Sequence, residues 1–182
     1  MKRRMLFVMT VVLTTFSLVV AGQSTATAQT KSGTKTGYTQ VVVDPAVYAV
    51  IAGAGITPAP IGGAKAFAYG DTLAARFPIT GYALRNLSIK HSGGISLTAG
   101  SASISLSDFS IDLGRGKVSG VVPGVGRVDL FSIGFSSKPR LGLVSLRLTG
   151  TAAGALNSTF GVQAFAAGDT FGYATPKPFS RF

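Results

Sequence analysis

The sequence predicts a mainly β domain, an antiparallel β-sandwich or partly open barrel carrying two short helices. Three observations point there. About nine short runs of β-branched, alternating residues recur at near-regular spacing, each bounded by Gly, Asp, Ser or Pro turns. Only two stretches carry helix caps. Glycine is abundant at 24 residues while cysteine is absent, so turns rather than disulfides must organise the chain.

The domain does not begin at Met1. Lys2, Arg3 and Arg4 precede an apolar run from Met5 to Gly22, softened by Thr10, Thr14, Thr15 and Ser17. Ala26-Thr27-Ala28 then supplies the small-x-small pattern that a signal peptidase accepts, so residues 1–28 read as a cleavable signal peptide. A retained membrane anchor is the alternative, because an apolar run of this length nearly spans a bilayer. Gln29 to Gly37 is polar and reads as a flexible leader, and residues 38–182 read as a single β-rich domain. Export without cysteine fits a Gram-positive exoprotein.

From Tyr38 the texture changes. Tyr38 to Val43 is a β-branched strand. Asp44-Pro45 gives an N-cap followed by proline at the first helical position, predicting a short helix from Ala46 to Ala52. Ile56 to Gly63, with Pro58, Pro60 and paired glycines, reads as loop. Strands follow at Ala64–Tyr69, Thr72–Thr80 and Leu84–His91. Ile95 to Leu97 and Ile104 to Leu106 alternate as a half-buried hairpin around Gly100. Between Leu106 and Phe109 the apolar spacing slips from two to three, which predicts a β-bulge near Ser107-Asp108. Lys117–Val122, Val128–Phe135 and Leu141–Leu148 continue the series. A second helix is expected from Thr151 to Phe160, stopped by Gly161, and it echoes the first in its alanines, its glycine stop and the β-branched residue that follows.

Composition removes several chemistries. With one His, no Cys and no Glu, structural zinc and cysteine catalysis are excluded. The six aspartates fall at caps, turns and strand edges, which leaves little for a carboxylate pair. A Gly-x-Ser-x-Gly elbow and the phosphate-loop fingerprints are missing, and Ser32-Gly33-Thr34-Lys35 matches a Ser-x-x-Lys pattern only within the leader. The chain is not expected to be an enzyme. Asn86-Leu87-Ser88 and Asn157-Ser158-Thr159 are chance sequons.

The charge is strongly basic. The whole chain carries +11, and losing Lys2, Arg3 and Arg4 with the signal peptide leaves +8. Outside a cell such a domain meets anionic wall polymers, lipid head groups or acidic ligands. The basic residues are scattered singly, without interleaved aromatics, so nucleic acid is not an expected partner.

His91 is the lone imidazole, standing at a strand end before Ser92-Gly93-Gly94. On chemistry alone it is a hydrogen-bonded turn histidine, or it marks a turn where glycine lets a ligand approach the backbone. The stretch Leu87 to Leu97 (LSIKHSGGISL), followed by Ile104 to Asp112 (ISLSDFSID) and Gly116 to Val122 (GKVSGVV), resembles the HtaA-type haem-binding domains of secreted and cell-surface actinobacterial proteins. The resemblance spans roughly residues 41–135. It implies reversible haem binding for iron acquisition, with a first-helix tyrosine as iron ligand and the histidine as its partner. Tyr48 occupies that place here, so Tyr48 and His91 are the candidate cofactor-binding residues and Tyr48 the candidate metal ligand. A hard phenolate suits ferric haem, and an imidazole beside it can take a hydrogen bond or proton from a phenol of pKa about 10. Two departures stand out: the chain has no Trp, and a hairpin is inserted between Gly94 and Ile104. Tyr38, Tyr69, Tyr82 and Tyr173 are further candidate ligands, with strand packing as the simpler role for each. The competing reading is a secreted or wall-associated β module without cofactor, held by charge to anionic polymers.

Overall fold

A computed structural model describes residues 37–182 apart from Leu84 and Asn86. The expected signal peptide and all of the expected leader except Gly37 lie outside the described residues. Eleven strands and two helices follow in order: β1 (Gly37–Val43), α1 (Pro45–Gly53), β2 (Thr57–Ile61), β3 (Lys65–Tyr69), β4 (Thr72–Ala83), β5 (Ser88–His91), β6 (Gly94–Ala99), β7 (Ala102–Asp112), β8 (Lys117–Val122), β9 (Gly126–Phe135), β10 (Val144–Leu148), α2 (Gly150–Phe160) and β11 (Thr170–Pro178).

All strand pairings are antiparallel, and eight strands close on themselves in the order β7-β5-β4-β1-β11-β10-β9-β8, with β8 returning to β7. The expected sandwich or partly open barrel is therefore a closed barrel with extra strands. Closure removes the sheet edges that a sandwich would leave. Inward residues of successive strands, among them Ile111, Val118, Leu130, Leu146 and Leu148, form one apolar core.

The ring forks at one end. β5 is only four residues long, and beyond it the first half of β7 pairs with β6 while the first half of β4 pairs with β3. β2 lies outside β6 and joins β3 through Gly62 and Gly63, but the two strands do not pair with each other. The chain passes from β5 to β6 at the crotch of this fork, where β7 carries the predicted bulge: its register on β8 shifts between Ser107 and Ser110, with Asp108 at φ 49°.

Both helices sit at the forked end, because they follow β1 and β10, which run in the same direction on either side of β11. Asp44 caps α1 by accepting from the Ala46 N–H at 3.0 Å, and Thr149 caps α2 by accepting from the Ala152 N–H at 3.1 Å. Each cap satisfies an otherwise orphaned helix donor. The inner faces bury Ile51 from α1 and Ala152, Ala153 and Leu156 from α2.

Four elements differ from expectation. Ile56–Gly63 is not all loop: Thr57–Ile61 forms β2, which pairs only with β6. As an edge strand it tolerates Pro58 and Pro60, whose missing N–H groups cost no second ladder. β11 lies in a stretch for which no strand is predicted, yet it closes the barrel between β1 and β10. Its prolines, Pro176 and Pro178, lie past the last residue paired to β10. The expected strands Leu84–His91 and Leu141–Leu148 shorten to β5 and β10.

Candidate functional site

At the forked end the barrel encloses an apolar cavity of about 180 Å³. Its wall is built by alternation. Val41 on β1, Leu73 and Phe77 on β4, Ile95 on β6 and Leu106 on β7 all point inward, and α1 contributes Tyr48 and Ile51. Thr39, Tyr48, His91 and Thr151 are among the lining residues, but the surface that they and their neighbours present to the cavity is almost wholly carbon. Apolar cavities of this scale stay dry and accept apolar guests.

His91 is 5 % exposed and has a partner on each ring nitrogen. Its Nδ1 lies 3.1 Å from the Phe109 carbonyl and its Nε2 lies 2.7 Å from the Thr39 hydroxyl. A carbonyl can only accept, so the proton sits on Nδ1, and Nε2 accepts from Thr39. Burial pushes the imidazole down to about 4 from 6.5, against the smaller opposing effect of the Phe109 carbonyl. The ring is therefore neutral near pH 7. It ties β5 to β7 on one side and, across β4, to β1 on the other.

The glycines after His91 serve the chain itself. A Cβ on Gly93 would come within 2.8 Å of the Gly62 carbonyl and of the Ala64 nitrogen, and one on Gly94 would collide with the Leu106 carbonyl. Gly93 also adopts φ 75°. The close backbone approach read from His-Ser-Gly-Gly is thus made by the β2–β3 turn and by β7.

Tyr48 sits one turn into α1, half-buried, on the cavity wall. Its backbone N–H donates to the Asp44 carbonyl at 2.8 Å, and its hydroxyl has no hydrogen-bond partner among the described residues. It is the one tyrosine of five that lines the cavity. Register places Tyr173 opposite Val42, on the outer face, where its hydroxyl donates to Asp44 Oδ2 at 3.1 Å. Tyr38 packs against Phe182 with ring centroids 6.0 Å apart, and the Tyr69 hydroxyl reaches the Arg140 carbonyl at 3.4 Å. Tyr82, 42 % exposed, stands near the end of β4 away from the helices.

Asp44 proves to be more than a cap. Its Oδ2 also meets the Lys138 ammonium at 2.8 Å, so α1 is fastened to the β9–β10 connection. Desolvation would raise this carboxyl, but hydrogen bonds from Lys138, the Ala46 N–H and Tyr173 outweigh it and hold the group below its ordinary range. The sequence shows the cap; the partners at positions 138 and 173 carry no local signature. Thr39 was likewise not marked by sequence, since a threonine in a strand is ordinary. Among the described residues no three His, Cys, Asp or Glu side chains cluster as metal ligands, and no helix is long and apolar enough to cross a membrane.

No family model matches the sequence, and no curated protein matches it. Among solved structures the chain is similar to the crystal structure of the C-terminal domain of HtaA from Corynebacterium glutamicum, with a TM-score of 0.51 and 14% identity over 75% of this chain and 93% of that one. At this identity the likeness is one of fold.

Proposed function

We propose that this is an exported binding domain that takes up haem reversibly at the forked end of the barrel, with the Tyr48 phenolate as iron ligand. One observation carries the reading. The only tyrosine among the residues lining the cavity is on the first helix, and its hydroxyl has no hydrogen-bond partner among the described residues, beside an almost wholly apolar lining. The fold shared with the HtaA domain supports it.

The residues fit haem in donor and wall chemistry. A phenolate satisfies ferric iron, and apolar walls suit the macrocycle. A volume of about 180 Å³ is below the ~300–1,000 Å³ of pockets that enclose a whole ligand. A guest as large as haem would then be only partly enclosed, with its propionates at the mouth. His91 is the proposed partner of the phenol, through its Nε2 lone pair, which Thr39 now engages. An imidazole held near pKa 4 takes a hydrogen bond but stores no proton at neutral pH.

Titration of residues 29–182 with haemin tests the reading. Every ring strand lies within 37–182, so this piece holds the whole barrel. The expected result is a Soret band with a tyrosinate resonance Raman signature, both lost in Tyr48→Phe. A flat titration sinks it. The second reading, a wall-associated module without cofactor, draws on one observation: no Lys or Arg side chain lines the cavity to meet propionates.

A further inference from the structure

Among the described residues eight large apolar side chains are exposed, and six of them, Tyr82, Leu87, Leu113, Phe135, Leu143 and Phe179, lie at strand ends away from the helices. They belong to the ends of β4, β7, β9 and β11 and the starts of β5 and β10, so they are spread around the rim rather than gathered in a groove. Phe135 is 97 % exposed and Phe179 88 %, and neither helps the apolar core. Both side chains are therefore free of the core and open to a partner surface.

Charge at this rim is one-sided. Arg115 and Lys117 flank the β7–β8 turn, and Lys177 and Arg181 lie at the end of β11 and beyond it. The acid at the rim is Asp112, whose Oδ1 accepts from the Arg115 N–H at 2.9 Å. Among these four cations only Arg115 has an acidic side-chain partner among the described residues, Asp129 at 2.9 Å. Three of the six aspartates, Asp44, Asp71 and Asp169, are instead at the helix end.

The chain also enters the barrel here. β1 starts at Gly37 opposite Pro178, next to Phe179. We infer that this rim is a docking surface for an anionic lipid bilayer, with Phe135, Phe179 and Leu113 entering the head-group region and Lys117, Lys177 and Arg181 meeting lipid phosphates. A ring of apolar tips suits a flat surface, whereas a peptide would need a groove. Aromatic side chains favour that depth, and basic ones add attraction to anionic lipid. The cavity then faces away from the membrane. The inference does not depend on what the cavity binds.

Residues 29–182, which lack the apolar run, are sedimented with vesicles of phosphatidylcholine alone and of phosphatidylcholine with a quarter phosphatidylglycerol. Binding is expected only to the anionic vesicles. Phe135→Ser with Phe179→Ser should weaken it about tenfold, and Lys117→Gln with Arg181→Gln about 25-fold, near fivefold per cation removed. Phe135, Phe179 and Arg181 are exposed and Lys117 is half-buried, and unchanged circular dichroism confirms that the variants fold. Failure to bind anionic vesicles overturns the proposal. So does binding that the serine pair leaves intact, since charge alone would then act, as on an anionic wall polymer.

Discussion

At the helix end, β1 and β10 run into capped helices that bury Ile51, Ala152 and Leu156, and Thr39 and His91 are partnered to each other inside the barrel. At the opposite rim the same ring of strands leaves Phe135 and Phe179 in water. The charges divide the same way, with Asp44, Asp71 and Asp169 towards the helices and Lys117, Lys177 and Arg181, which have no acidic side-chain partner among the described residues, at the rim. One end is a held, apolar interior and the other an amphipathic face. A barrel makes this separation easy, because alternation commits the strand middles to the core and leaves strand ends free to vary.

That contrast can be broken most directly at His91. Replacing it with Ala removes the partner of the buried Thr39 hydroxyl and of the Phe109 carbonyl and opens a void, so unfolding stability measured in urea should fall by about 4 kcal/mol. A loss below about 1 kcal/mol would show that the crosslink between β1, β5 and β7 is dispensable.

Acid comes next in size. The folded imidazole titrates near 4 and the unfolded one near 6.5, so between these values the unfolded chain binds more protons and stability falls as pH is lowered. The contribution is intact above about pH 6.5 and lost by pH 4, amounting to about 3 kcal/mol. Urea midpoints across that window should trace the slope, and His91→Ala should flatten it. Asp44 acts lower: its depressed carboxyl keeps its contribution above the ordinary carboxylate range and loses it only as pH falls through the folded value.

Asp44→Ala sharpens the comparison within the helix end. It removes the α1 cap, the Lys138 ion pair and the acceptor of the buried Tyr173 hydroxyl, and should cost about 2 kcal/mol in urea unfolding. If α1 presents Tyr48 as proposed, haemin affinity should drop in this variant as well. The smallest effect belongs to the rim, where Phe135→Ser should change stability by no more than about 0.5 kcal/mol. A larger destabilisation would mean that this side chain packs, and that the two ends are less different than their exposure indicates.

Much of this was legible locally. Asp44-Pro45 and Gly161 bound two helices within a residue or two of their positions, the slip from period two to three between Leu106 and Phe109 marked the bulge, and the hairpin at Gly100 alternates as written. Such features are short-range: a cap, a turn or a register shift is set by a few adjacent residues. Tyr48 and His91 stand out in the sequence, and both are among the residues lining the cavity. Their chemistry was less visible. Thr39, which holds the Nε2 of His91, is 52 residues away, and Lys138 is 94 residues from Asp44.

By itself the sequence determined a β-rich chain with two capped helices, no disulfides, a basic charge and one imidazole, because composition and period-two alternation suffice for these. Only the tertiary structure decided that the sheet closes, that Pro58, Pro60, Pro176 and Pro178 belong to strands, and that the glycines after His91 make room for another turn of the same chain. Pairing partners do that work: a proline is tolerated where no neighbour needs its N–H, and alternation says that one face is buried without saying against which strand.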